Sequence, residues 1–374
     1  MRENAANEKS ELSFDVPFLL ATLALMVAGT IMVYSASFFI SKEMYGNGSA
    51  IILKRLFHLI VGCVVMTLAM FIDYRKVFTR PVIYILLISG LVSLILCFIP
   101  GMGIKAGHSR RWVDIIIIRY QASELMKIAM LVYMSYFLSA KSKNIGVFSV
   151  GVLPVLFICS IAAGLILIEP DFGTAMIFVV WTIMVLFIAG MRIKHLLIIG
   201  AASLPLGILF MILEPYRRAR LTAFINPWKD MQGTGYQIIQ SMLAFSKGWI
   251  FGTGLGEGSQ KLFFLPAPHT DFIMAVLGEE IGFAGVVVIL ALFGLWVWRG
   301  LKIAKATNDL FGFFLVVSSV LLVGLQAVIN IGVAMSLLPT TGIPLPFFSF
   351  GGTTLVTTML ACGIILSVSR GART

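Results

Sequence analysis

The sequence is poor in charge. Only 12% of its 374 residues are Asp, Glu, Lys or Arg, where a soluble domain carries about 25%. Acidic residues are the scarcer kind, 17 against 28 basic ones. Cysteine is sparse as well: Cys63, Cys97, Cys159 and Cys362 lie singly inside apolar runs, in no metal-ligand spacing. They read as small core residues rather than as a disulfide framework. No low-complexity tract, obvious repeat or soluble domain interrupts the chain. A nucleotide loop is missing too. Gly248, Gly252, Gly254, Gly256 and Gly258 follow no strand and lead to no Gly-Lys-Ser/Thr, so tight turns explain them better.

What the chain has instead is apolar sequence, 59% of the total. Lipid as solvent is the common physical cause of such an excess. A bilayer core about 30 Å thick needs roughly 20 apolar residues per helical crossing. Candidate spans fall at about 16–38, 53–72, 81–99, 121–139, 147–168, 172–190, 195–213, 271–298, 311–336 and 350–369. Helix is the form expected for them, because backbone in lipid must satisfy its own hydrogen bonds. The first run is too long for a signal-peptide core, although Ser35-Ala36-Ser37 resembles a cleavage site, and is taken as an uncleaved span. The expected fold is therefore an all-α polytopic membrane protein of about ten transmembrane helices, one integral-membrane domain over 1–374. Residues 1–14 form a polar cytoplasmic N-terminus, and 214–270 form a large extracytoplasmic loop between the seventh and eighth spans.

Orientation follows from the basic residues of the short loops. Arg2, Lys9, Arg75, Lys76, Arg80, Lys141, Lys143, Arg192, Lys194, Arg299, Lys302, Lys305, Arg370 and Arg373 share one side, half of the chain's 28, which makes it cytoplasmic with both termini inside. The other half falls on or near the opposite face, mostly in 100–120 and 214–270. Arg110, Arg111, Arg119, Lys127, Arg217, Arg218 and Arg220 form a basic field there. Attraction to anionic lipid head groups explains it as well as a clamp for an anionic substrate such as a lipid pyrophosphate.

The 214–270 loop is far longer than an ordinary connection, and its aromatic and apolar content argues against disorder. It closes on Pro266, Pro268, His269 and Thr270, ahead of Asp271 at the mouth of a span. Thr270 or Asp271 could simply cap the next helix. Asp271 is also the one carboxylate best placed for sugar transfer from a lipid pyrophosphate. That leaving group needs cationic stabilisation rather than a protonating acid, and the acceptor hydroxyl needs one base. Glycoside hydrolysis, by contrast, needs two carboxylates. Glu279 and Glu280 sit deeper in the span and suit structural pairing, and Glu124 and Lys127, three apart, can pair on one helix. Glu169-Pro170-Asp171 is either a tight polar turn or a substrate or divalent-ion site. Gln326 and Asn330 fit inter-helix hydrogen bonding. The prolines from Leu338 to Pro346 cannot continue a helix, and irregular backbone at that depth must line protein or a wet cavity.

Together these motifs resemble the SEDS family (shape, elongation, division and sporulation), the group of FtsW, RodA and SpoVE. The resemblance runs from about Phe14 to Arg370. It rests on Arg110-Arg111-Trp112, Ser123-Glu124-Leu125-Met126-Lys127, Glu169-Pro170-Asp171-Phe172-Gly173, Tyr236-Gln237 through Ser241, Gly254-Leu255-Gly256, His269-Thr270-Asp271-Phe272, Gly278-Glu279-Glu280-Ile281-Gly282 and Leu338-Pro339 through Gly352. Phe14-Asp15-Val16-Pro17, Glu169-Pro170-Asp171, and Gly254-Leu255-Gly256 running to Gln260-Lys261-Leu262 tilt it toward the FtsW branch. Three motifs depart from the family pattern, at Ala267, Ala122 and Phe350.

The resemblance implies a peptidoglycan glycosyltransferase of the bacterial cytoplasmic (inner) membrane, working at the division septum. It implies lipid II as substrate and undecaprenyl diphosphate as leaving group. The partners implied are a class B penicillin-binding transpeptidase and other divisome proteins, with no nucleic acid among them. Asp271 takes the family's catalytic position, and Arg111, Arg119 and Lys127 its basic ones. Arg217, Arg218, His269 and Glu124 join them as candidate substrate-binding residues. No cofactor is certain, and room is left for a divalent cation such as Mg²⁺ or Mn²⁺. A lipid II flippase and a non-catalytic scaffold for a transpeptidase are the competing functions.

Overall fold

The computed structural model describes residues 14–371 apart from 107, 108, 116, 117, 263 and 267. The expected polar N-terminus, with Arg2 and Lys9, and the basic Arg373 lie outside the described residues. Each of the ten expected segments falls on a helix. In chain order these are α1 (Val16–Tyr45), α2 (Ala50–Phe71), α3 (Arg80–Leu96), α4 (Ala122–Ala140), α5 (Leu153–Ile168) and α6 (Phe172–Ile188). Then follow α7 (Ile193–Leu213), α8 (Pro215–Ile225), α9 (Tyr236–Gly248), α10 (Ile273–Ala306), α11 (Leu310–Ala334) and α12 (Gly352–Arg370). Among the described residues, seven helices are long and apolar enough to cross a membrane: α1, α2, α5 with the turn before it, α7, α10, α11 and α12. The helices α3 and α6 are apolar but shorter. The bundle is thus overwhelmingly helical, and α8 and α9 are helices within the long loop.

Local chemistry sets the ends. The Asp15 carboxylate accepts the Phe18 amide at 2.8 Å, with Pro17 in the first turn of α1. The packing centre is α11, which is largely buried and touches α4, α6, α10 and α12. By contrast α7, which packs chiefly against α6 and α8, buries none of its residues.

Two features depart from the sequence expectation. The first is a sheet, which an all-α fold does not include. Strands β1 (Gly103–Ala106), β2 (Ser109–Ile115) and β3 (Ile118–Gln121) pair antiparallel in that order, with Trp112 opposite Gln121 and Asp114 opposite Arg119. Val113 is buried while Trp112 and Asp114 are not, the period of two that a half-buried strand needs.

The second is a break in α10. The single span expected over 271–298 is two helical pieces that meet at Gly282, whose φ is 67° and ψ −171°. The long loop fills the gap. Phe283 and Ala284 donate their amides to the carbonyls of Trp249 and Ile250 at 2.8 and 2.9 Å, and Thr253 and Gly254 donate to Glu279 and Glu280 at 2.9 and 3.0 Å. A side chain at Gly282 would stand 2.6 Å from the Ile250 carbonyl oxygen.

Both adjacent acids are committed to this join. Glu280 pairs with Lys261 at 2.7 Å and accepts from Ser35 at 2.6 Å. The Glu279 carboxylate accepts the amides of Ser259 and Gln260 at 2.9 and 3.0 Å. Acids this deep are tolerated because Glu280 is paired with a lysine and Glu279 is hydrogen-bonded by two amides and the Ser259 hydroxyl. The piece from Ile273 to Ile281, which carries Asp271 just ahead of it, is thereby braced from behind.

Candidate functional site

Four irregular junctions converge on one mouth. At Glu214-Pro215 the chain turns from α7 into α8, where the missing proline amide costs nothing in the first turn. Tyr216 and Arg220 lie four apart on α8 and so share a face. The Arg220 guanidinium stacks over the Tyr216 ring at 4.5 Å and hydrogen-bonds its hydroxyl. Its Nη1 donates to the Thr340 carbonyl at 3.0 Å. Arg217 lies over Phe172, 5.6 Å from the ring centre, and donates to the Phe210 carbonyl at 3.0 Å.

The second junction is Glu169-Pro170-Asp171, between α5 and α6. Asp171 caps α6, accepting the Thr174 amide at 3.1 Å and its hydroxyl at 3.0 Å. Its other charge partner is Arg111, carried in by β2, at 3.2 Å. Gly173 lets the third junction, the strap between α11 and α12, press close: a side chain there would meet the Thr341 carbonyl oxygen at 2.7 Å. The fourth junction is Asp271 itself. The cap position of α10 is Phe272, with no side-chain cap, so helix capping does not consume the Asp271 carboxylate.

Together these junctions enclose a cavity of about 470 Å³. Arg111, Arg217 and Arg220 line it with Asp171, Glu214 and Asp271, and Tyr216, Thr340 and Thr341 add polar atoms. Phe172, Met176, Met211, Ile329 and Leu338 form apolar walls. Burial pushes the Asp271 carboxyl above the usual carboxylate range; Arg111 and Arg220 pull it back, and Asp171 adds to the rise. Beside the mouth, Glu169 is buried next to the Cys97 thiol, and its pKa is pushed up to about 8, chiefly by burial, with Asp171 adding to the rise.

Of the candidate residues, Asp271, Arg111 and Arg217 meet in this cavity. The others stand elsewhere. Arg119 extends from β3 with 60% of its side chain exposed and pairs with Asp114 at 3.5 Å, because the β2–β3 register turns it away. Arg218 is exposed on α8, two residues from Arg220 and on another face. Lys127 and Glu124 form a buried pair at 2.7 Å, joined by the Thr354 hydroxyl at 3.0 Å. The His269 ring packs edge-on against Phe350 at 5.7 Å, and burial lowers its pKa.

Three charged cavity residues stood outside the candidate list. Arg220 belonged to the basic field without being singled out, Asp171 read equally well as turn chemistry, and Glu214 marked only the start of the long loop. Among the described residues no group of three His, Cys, Asp or Glu side chains gathers as metal ligands. Of the cavity carboxylates, Asp171 is paired with a guanidinium, that of Arg111.

A relative from Geobacter metallireducens, described as "Probable peptidoglycan glycosyltransferase FtsW", is 42% identical over 97% of this chain and 96% of its own length. Stage V sporulation protein E of Bacillus subtilis is 40% identical over 96% of this chain and 98% of its own. Among solved structures, a chain from "Structural coordination of polymerization and crosslinking by a peptidoglycan synthase complex" superposes with a TM-score of 0.78 at 27% identity, covering 96% of this chain and 98% of that one. The rod shape determining protein RodA of Thermus thermophilus superposes with a TM-score of 0.72 at 25% identity, over 97% of this chain and 99% of its own. Residues 16–374 match the family described as "Cell cycle protein", and the chain belongs to this FtsW/RodA/SpoVE family.

Proposed function

We propose that this chain is a peptidoglycan glycosyltransferase that polymerises lipid II into glycan strands, with Asp271 as its general base. The observation that carries the proposal is the cavity in which the Asp271 carboxylate, not taken up by helix capping, shares walls with Arg111, Arg217 and Arg220. Sugar transfer from a diphosphate needs this division of labour. The acceptor hydroxyl oxygen attacks the anomeric carbon from the face opposite the diphosphate and inverts it. Its proton passes to Asp271. The anomeric carbon–oxygen bond breaks and its electron pair leaves with undecaprenyl diphosphate. That charge is met by guanidinium groups already held in place, Arg220 by Thr340 and Tyr216, Arg111 by Asp171.

The leaving group is stable as an anion, so no second carboxylate is required to protonate it. A divalent cation such as Mg²⁺ or Mn²⁺ would add to the positive charge that meets the diphosphate. Arg119, Lys127, Arg218, His269 and Glu124 act from outside the cavity, in support rather than in contact.

The chain makes ten crossings of the bacterial cytoplasmic membrane with both termini inside, which sets the cavity at the extracytoplasmic rim where a lipid-linked sugar is presented. The names of its relatives support peptidoglycan synthesis, and the solved synthase complex joins polymerisation to crosslinking. A class B penicillin-binding transpeptidase is the partner this favours, with other division proteins at the septum. The test is purified protein in detergent, with that partner, given lipid II. Polymer forms if the chain is an enzyme. A flippase needs a sealed compartment and makes none, and a scaffold makes none either.

A further inference from the structure

Asn330 is an expensive residue where it stands. It lies late in α11, 1% exposed, in one of the most apolar helices of the chain. Sequence reasoning gave it to a neighbouring helix, yet it bonds to none. Its Nδ2 donates one proton to the main-chain carbonyl of Asp271 at 2.9 Å and the other to that of Ile343 at 2.7 Å. Both partners are carbonyls and only accept, so the amide orientation is fixed by chemistry. Asp271 precedes α10 and Ile343 lies in the strap, so neither carbonyl belongs to a helix or to a strand ladder.

The same strap is tied to the same short segment twice more. Ser349 Oγ donates to the Thr270 carbonyl at 2.5 Å, and the Phe350 amide donates to the His269 carbonyl at 2.8 Å. Arg55, buried on α2, holds the strap from behind through the carbonyls of Phe347 and Ser349. At its other end the strap carries Thr340, which anchors Arg220.

We infer that Asn330 is a positioning residue for the transfer reaction, a two-pronged clamp that fixes the Asp271 backbone against the strap and so aims its carboxylate at the acceptor while the strap sets Arg220. The inference rests on Asp271 being the general base. A purely structural Asn330 would repair two orphaned carbonyls and affect stability alone. A clamp on the base affects kcat, because a displaced base still leaves the arginines to bind substrate. Displacement on the order of 1 Å costs about a hundredfold in rate.

The experiment measures kcat, KM for lipid II and melting temperature of the full-length protein with its transpeptidase partner. Asn330→Leu keeps the volume and removes both donors. Asn330→His keeps one N–H. Asp271→Asn is the control for the parent proposal. The clamp predicts that Asn330→Leu loses at least about tenfold in kcat with KM within about twofold, and that Asn330→His recovers part of the loss. If Asn330→Leu does not accumulate in the membrane, Asn330→His and Ser349→Ala decide, each expected to lower kcat with KM kept. Wild-type kcat in these variants, or a loss carried by KM or by melting temperature alone, overturns the clamp. Wild-type activity in Asp271→Asn instead overturns the parent proposal, whatever Asn330 does.

Discussion

Arg111 and Asp171 pair at 3.2 Å across the cavity mouth, joining the small sheet to the cap of α6. The pair is not a simple surface bridge. Asp171 is already held by Thr174, so the carboxylate serves as a fixed post that keeps a guanidinium pointed toward Asp271, whose ionisation it favours.

Arg220 and Arg119 separate the cavity from the wider basic field. Arg220→Ala removes a cavity cation and its tie to Thr340, and is expected to lower kcat/KM by roughly a hundredfold, the scale of a lost oxyanion donor. Arg119→Ala removes an exposed pair with Asp114 and is expected to change kcat/KM by no more than about threefold. Initial polymerisation rates over a lipid II series measure both.

The pH profile reports the balance on Asp271. The base works only when ionised, and burial raises its pKa, so kcat falls on acidification with a limb above the ordinary carboxylate range. Arg111→Ala removes a cation that pulls this pKa down and frees the negative charge of Asp171 beside it. The acid limb then moves to higher pH. A limb that moves down, or does not move, contradicts the assigned electrostatics.

Glu124 and Lys127 give a stability prediction. Both are buried, so removing either partner strands a charge and costs about 3–5 kcal/mol. Lys127→Met is expected to melt far below wild type and to accumulate poorly, while Lys127→Met with Glu124→Gln recovers most of the loss. Thermal melts of detergent-purified protein compare the three.

Glu169 makes folding depend on pH in a stated direction. Its pKa rises from 4.5 to about 8 on folding, so its contribution is present in full below pH 4.5 and is lost as pH climbs toward 8. Glu169→Gln mimics the protonated acid. The variant is expected to melt above wild type at pH 8, with the gap closing by pH 4.5. Equal melting temperatures across that range contradict a buried neutral Glu169.

The helices were legible because the solvent writes them into sequence: runs such as 311–336 have no other physical outlet than a lipid or protein interior. Asp271 was legible because a carboxylate after a proline-rich loop at a span mouth is costly without a use. The sheet was hidden by its brevity, since Trp112, Val113 and Asp114 alternate over too few residues to stand out from a charged loop. Arg119 and Arg111 looked alike in sequence, and only the strand register sends one to the cavity and the other to solvent. Lys127 looked like a ligand for the same reason, and only burial against Thr354 shows that its charge is already matched. The break at Gly282 depends on a loop some thirty residues upstream in sequence, which no local pattern encodes.

The central claim is that Asp271 takes the proton of the acceptor hydroxyl. Its most direct test is the length distribution of glycan made from lipid II by the purified protein with its transpeptidase partner, wild type beside Asp271→Ala. The account predicts long strands from wild type, and none from a variant that keeps its melting temperature and partner binding. Wild-type polymer from Asp271→Ala would contradict it.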